Sequence, residues 1–182
     1  VTSNTSFIRD QAALSKIDAT GGGVTLSAAT GIGSSTSSPT KLVAANLEAS
    51  GGTGDVFISN TGDLTIGGIG VTNGVSTSNA EINITTSGAL TATESIVSAS
   101  GDILLTAGNG VTLSGANGDV TTSGGTYTVD ADSDDDGTGA YLQDTAGTAV
   151  TTTNGTVSIT AGDVSLTGTI DAGTGTALVA PS

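Results

Sequence analysis

A short phrase recurs along this chain, and it limits the fold more than any other feature: Gly, a polar residue, then an aliphatic, a variable and an aliphatic residue. It reads Gly54-Asp55-Val56-Phe57-Ile58, Gly62-Asp63-Leu64-Thr65-Ile66, Gly101-Asp102-Ile103-Leu104-Leu105 and Gly162-Asp163-Val164-Ser165-Leu166. Variants stand at Gly23-Val24, Glu81-Ile82, Gly88-Ala89-Leu90, Gly110-Val111, Gly125-Thr126-Tyr127 and Gly155-Thr156-Val157. Alternation of apolar and polar residues between turn signals is the signature of short strands, and helical periodicity is nearly absent. The one helix-like stretch runs from Phe7 to Ile17.

The phrases also come in pairs. Val56 and Leu64, Ile82 and Leu90, and Ile103 and Val111 are each 8 residues apart, and a third strand is expected at Ile69-Gly70-Val71, Ile96-Val97, Val120 and Ile170. Taking Val24, Val56, Ile82, Ile103, Tyr127 and Val157 as equivalent gives unequal intervals of 21 to 32 residues, which suits a coil with variable corners. Strands this short are not stable alone; stacked coil upon coil in parallel, they pair their backbones and bury one side-chain row per face. The sequence therefore predicts an all-β chain: a parallel β-helix, or β-solenoid, of about six irregular three-strand coils over residues 21–182. Residues 1–20 form an N-terminal cap, short helix or donated strand, and an acidic loop lies at 130–137. Asn73-Gly74, Asn109-Gly110, Asn117-Gly118 and Asn154-Gly155 are expected at corners, where the left-handed conformation is cheap. A β-sandwich competes, but its core normally holds larger side chains than this chain supplies, with aromatics only 2% of its residues.

Charge excludes several partners. The 17 acidic residues face 3 cations, Arg9, Lys16 and Lys41, for a net −14, and no cation follows Lys41. Nucleic-acid backbones and anionic lipid surfaces both need clustered Lys or Arg, so neither is expected as a partner, and no apolar run is long enough for a membrane span. The absence of Cys leaves the redox compartment open. The chain begins Val1-Thr2-Ser3 and lacks an initiator Met, as expected of a processed protein or a segment of a longer one.

The wording of the repeats adds to their spacing. Gly31-Ile32-Gly33-Ser34-Ser35, Leu42-Val43-Ala44-Ala45-Asn46-Leu47-Glu48-Ala49 and the double phrase from Gly54 to Gly68 resemble filamentous-haemagglutinin-type repeats of large secreted bacterial surface proteins. The segments from Gly101 to Ala107 and from Ile159 to Gly173 are similar to the same class, so the resemblance covers most of the chain from about Ile17 onward. It implies a right-handed parallel β-helix, export to the cell surface or medium, and service as a fibre shaft or adhesin stalk. It implies no enzyme activity and carries over no functional residue.

Chemistry has one focus. Asp130-Ala131-Asp132-Ser133-Asp134-Asp135-Asp136-Gly137 places carboxylates at positions 1, 3 and 5 counted from Asp132, with Gly at 6. That is how a calcium loop opens, with Thr138 supplying a backbone carbonyl at position 7. Position 12 is Gln143, followed by Asp144, and no helix-forming sequence flanks the run, so this is no EF-hand. Asp130, Asp132, Asp134, Asp136 and Thr138 are the expected ligands of a simpler calcium loop; the alternative is a solvated acidic loop. Calcium is the only cofactor the sequence offers. The Asp residues of the phrases, Asp55, Asp63, Asp102 and Asp163, are expected to bond backbone groups at turns.

No enzyme is expected: the chain has no His, no Cys and no Gly-x-Ser-x-Gly, and Gly68-Ile69-Gly70-Val71-Thr72-Asn73 fails as a dinucleotide loop. Thr25, Thr65, Thr91, Thr112 and Thr128 sit at triplet centres and are expected to face outward. The function expected is thus a structural extracellular fibre or adhesin-stalk module of a bacterial surface. The alternatives are a filament subunit self-associating end to end, with residues 1–7 as a donated strand, and a monomeric carbohydrate- or ice-binding module.

Overall fold

The structure is a computed structural model that describes residues 2–3, 8, 16–70 and 74–182. Nineteen strands and no helix occur among the described residues, and the strands join in one parallel sheet that winds into a β-solenoid of about seven turns. The first face stacks Val56–Asn60, Ile82–Thr86, Ile103–Ala107, Tyr127–Asp130, Val157–Ala161 and Ala177–Pro181. The second stacks Leu64–Ile66, Leu90–Ala92, Val111–Leu113, Ala140–Gln143 and Asp163–Leu166. The third stacks Val75–Thr77, Ile96–Ser98, Val120–Thr122, Ala149–Thr151 and Thr169–Asp171. Two long strands, Ile17–Ala28 and Thr40–Ser50, bend around the corners, so that Thr40–Ser50 pairs with strands of all three faces.

Each position of the phrase has its own physical cause. The aliphatic residues point inward: Val56, Ile82, Ile103 and Val157 are 0% exposed, as are Leu90, Val111, Val75, Ile96, Val120 and Val150. Burying one such side chain is worth about 1.5–3 kcal/mol, and only stacking supplies the neighbours. The leading Gly is steric. A Cβ on Gly101 would run into the carbonyl oxygen of Ala80, one on Gly125 into that of Gly101, and one on Gly155 into that of Gly125. The Asp reaches along the axis to the following turn: the Asp55, Asp63 and Asp102 carboxylates accept the backbone N–H of Glu81 (2.9 Å), Ala89 (2.9 Å) and Thr126 (2.7 Å). Asp119 does the same for Ala149 at 2.8 Å.

Several expectations need correcting. The turns number about seven rather than six, because Thr40–Ser50 forms a turn of its own between the phrases at Val24 and Val56. Val24 pairs with Leu47 on the way to the second face, while Val56, Ile82, Ile103, Tyr127 and Val157 do stand in one column. The third strand after Leu64–Ile66 is Val75–Thr77; of the expected Ile69-Gly70-Val71, Ile69 lies in a loop, 38% exposed, and Val71 lies outside the described residues. Of Val164 and Leu166, expected inside, Val164 is half-buried against the core, whereas Leu166 is 47% exposed. The five Thr residues do face outward as expected, each between two buried neighbours; Thr65, Thr91 and Thr112 align on the second face, whereas Thr128 lies on the first and Thr25 pairs with Glu48. Ile17 opens a strand, Thr2–Ser3 pairs with Ser27–Ala28 and Ile8 bridges Ile32; residues 4–7 and 9–15 of the expected N-terminal cap, helix or donated strand lie outside the described residues.

The core is not wholly apolar. Thr77, Ser98, Thr122 and Thr152 form a buried hydroxyl column at one corner. Thr122 donates to the Gly101 carbonyl and Thr152 to that of Gly155, each at 2.7 Å, while Thr77 and Ser98 donate to that of Ala80. These bonds tie the corner backbone, which pairs with no strand, to the ladder beside it.

Candidate functional site

The acidic loop leaves the first face after Tyr127–Asp130 and returns at Ala140–Gln143 on the second. Its two tight bends need the left-handed conformation, taken by Asp135 (φ 56°) and Gly137 (φ 79°). The loop brings together three of the five expected ligands: one carboxylate oxygen from each of Asp132, Asp134 and Asp136 lies within 4.8 Å of the others. Asp132 is buried and the other two are exposed.

These carboxylates differ in what else they do. Asp132 organises the loop, accepting the N–H of Gly137 (3.0 Å), the N–H of Gly139 (3.3 Å) and the hydroxyl of Ser182 (2.5 Å). Those bonds, the Ser182 hydroxyl first, hold its carboxyl below the usual aspartate value against the opposing effect of desolvation. Asp136 accepts both the N–H and the hydroxyl of Thr138, at 2.9 and 2.5 Å. Asp130 stands apart at the strand end and accepts the Asp132 N–H at 3.4 Å. Asp134 makes no such bond to its loop, and its carboxylate lies beside Gly108 of the preceding turn. Gln143 is buried inside the solenoid, where its amide donates to the Thr169 carbonyl at 3.2 Å, and Asp144 accepts the hydroxyls of Ser114 and Thr145. The cluster thus offers a divalent cation two exposed carboxylates and one prepositioned behind them, a set of hard oxygen donors of the kind calcium takes.

Two glutamates that the sequence reading passed over settle the Gly-rich run. Glu48, buried in Thr40–Ser50, accepts the N–H groups of Ile69 (2.9 Å) and Gly70 (2.8 Å). Glu94 accepts those of Gly68 (3.2 Å) and Gly74 (2.8 Å). Among the described residues of the run, the N–H groups of Gly68, Ile69 and Gly70 are thus held by the chain's own carboxylates. Phe57 stands at a triplet centre yet is only 7% exposed; beside it lie Thr36 and Pro39 of the loop before Thr40–Ser50.

The turn that carries the acidic loop also carries the only two tyrosines of the chain, and both point inward. Tyr127 and Tyr141 are 0% exposed, and neither hydroxyl has a hydrogen-bond partner. Burial raises both phenols above their ordinary pKa, and the two rings are close enough to perturb one another without hydrogen-bond geometry between them. Comparison with protein-family models, with curated proteins and with solved structures gives no significant match, so the functional reading rests on the chain's own residues.

Proposed function

We propose that this chain is a non-catalytic structural module of a bacterial extracellular fibre or adhesin stalk. The observation that carries the reading is the unbroken stack: three faces run in register from turn to turn around a closed, mainly aliphatic interior. Residues outside that interior are mainly Thr, Ser, Asn and Asp, and the phrases carry positions that serve stacking itself. At about 4.8 Å per turn, seven turns supply roughly 34 Å of rod. Such a rod sets distance and stiffness, which is what a stalk contributes. The repeat wording, similar to that of large secreted surface proteins, supports export to the cell surface or medium.

Calcium is proposed as the ligand of the 130–138 loop, with Asp134 and Asp136 as exposed donors and Asp132 behind them. A bound divalent ion relieves the mutual repulsion of these carboxylates and braces that corner of the rod. A carbohydrate- or ice-binding surface gains little support, since the aligned Thr65, Thr91 and Thr112 are flanked in register by Asn46 and Leu142.

The location is tested on intact cells of the source organism, with an antibody against this segment and protease applied outside. Surface staining that protease removes is expected; signal confined to the cytoplasm would overturn the reading.

A further inference from the structure

The chain holds four Asn-Gly pairs, and three of them lie at corners among the described residues: Asn109-Gly110, Asn117-Gly118 and Asn154-Gly155. This dipeptide carries a chemistry of its own. The Gly nitrogen, with no Cβ beside it, attacks the side-chain amide carbon of the preceding Asn when its N–H is free and the amide is able to turn toward it. The corners differ in both respects. At Asn154 each reacting group is held: Oδ1 accepts the N–H and the hydroxyl of Thr174 in the following turn, both at 2.9 Å, and the Gly155 N–H donates to the Thr152 carbonyl at 3.2 Å. The Asn154 N–H is bound as well, to the Ala172 carbonyl at 3.1 Å. Asn109 and Asn117 are exposed, and among the described residues neither side-chain amide has a hydrogen-bond partner, nor does the N–H of Gly110 or of Gly118. Both glycines are buried, where an unpaired backbone N–H is uncommon, so no bond holds this nitrogen back from reaction. Asn117 also borders a polar cavity shared with Glu94, Ser95 and Asp119, which gives water a path to its amide.

We propose that Asn109 and Asn117 are sites of spontaneous deamidation in the folded chain and that Asn154 is protected from it. In each reaction the Gly nitrogen gives up its proton to solvent and bonds to Cγ of the preceding Asn. The C–N bond of the side-chain amide breaks, and its nitrogen leaves as ammonia. Water then opens the succinimide ring so formed, at Cγ to give Asp or at the backbone carbonyl to give isoaspartate. Water is the only co-reactant. Each conversion replaces a neutral amide by a carboxylate, so the two together take the net charge from −14 to −16. One new charge arises at the residue after Gly108, beside which the Asp134 carboxylate of the acidic loop lies. Both sites flank Val111–Leu113, so a single turn of the rod gains negative charge with age.

The test incubates the 182-residue chain in mildly alkaline buffer, once folded and once in urea, and follows each Asn-Gly pair by tandem mass spectrometry after digestion at acidic residues. Deamidation shows as the mass gained when the amide becomes a carboxylic acid, and fragment ions place it. In the folded chain the bonds that hold Asn154 must open first, so it is expected to react at least about tenfold more slowly than Asn109 and Asn117. In urea those bonds are gone, and the three sites should convert at similar rates. Asn109 or Asn117 reacting no faster than Asn154 in the folded chain would overturn the proposal. So would the same difference persisting in urea, which would assign it to neighbouring residues in sequence and not to the corners of the fold.

Discussion

At the residue scale the fold depends on positions that stacking leaves no freedom to change. Gly125 packs its α-carbon against the Gly101 carbonyl, so Gly125→Ala forces apart two turns that are bonded on either side. The expected cost is about 1–3 kcal/mol in urea denaturation. Gly147 provides the contrast: its Cβ would find nothing closer than 3.8 Å, so Gly147→Ala should leave stability nearly unchanged. Equal costs at the two sites would remove the steric account of the phrase. The tyrosines give a second residue-scale result. An ordinary phenol ionises near pH 10, but Tyr127 and Tyr141 are raised by burial, so the unfolded chain ionises first as pH rises. Stability from the neutral phenols is complete below about pH 10 and is lost above it, as pH climbs toward the folded values. Ultraviolet titration at 295 nm should therefore show no phenolate until the chain unfolds, and then both at once. A smooth, reversible two-tyrosine titration near pH 10 would mean that the rings are not inside.

At the element scale, what the sequence conveyed followed the alternation of residues. Phrases beginning at Val56, Ile82 and Ile103 were legible because apolar side chains at i and i+2 share one face of a strand, and their pairing in register followed. Turns without the phrase were not. Thr40–Ser50 has Leu42, Ala44, Leu47 and Ala49 at the interior, but its inward positions change spacing where the strand bends around corners. Ala140–Gln143 was hidden because it buries Tyr141 and Gln143, a bulky phenol and an amide, in columns otherwise aliphatic. The buried hydroxyls of Thr122 and Thr152 were not legible either, because composition gives no sign of the corner carbonyls they bond. Of the acidic loop, the order of the carboxylates was legible. The division of labour was not, because it depends on Ser182, which lies 50 residues from Asp132 in sequence. Calcium binding belongs to this scale. Millimolar Ca²⁺ at about ten times its dissociation constant should raise stability by roughly 1.4 kcal/mol, or about 3 °C in Tm for a chain of this size. Asp134→Asn/Asp136→Asn should abolish that rise without lowering the Tm measured in EDTA. Superimposable wild-type melting curves in EDTA and Ca²⁺ would remove the ion from the account.

For the whole molecule, stability is a sum over neighbouring turns, and the rod is only as continuous as its register. Four successive pairings, Thr65 with Thr91, Thr91 with Thr112, Thr112 with Leu142 and Leu142 with Ser165, place two residues 100 positions apart in sequence on one line along the axis. Both ends of that line face outward, and the chain's lack of Cys leaves a Thr65→Cys/Ser165→Cys variant with only its two introduced labelling sites. The distance between spin labels at these two positions, measured by double electron–electron resonance, tests the stacked-turn architecture directly. Four strand spacings predict one narrow peak, centred at about 19 Å between the backbones. A broad distribution, or a peak beyond roughly 30 Å, would contradict a solenoid in continuous register.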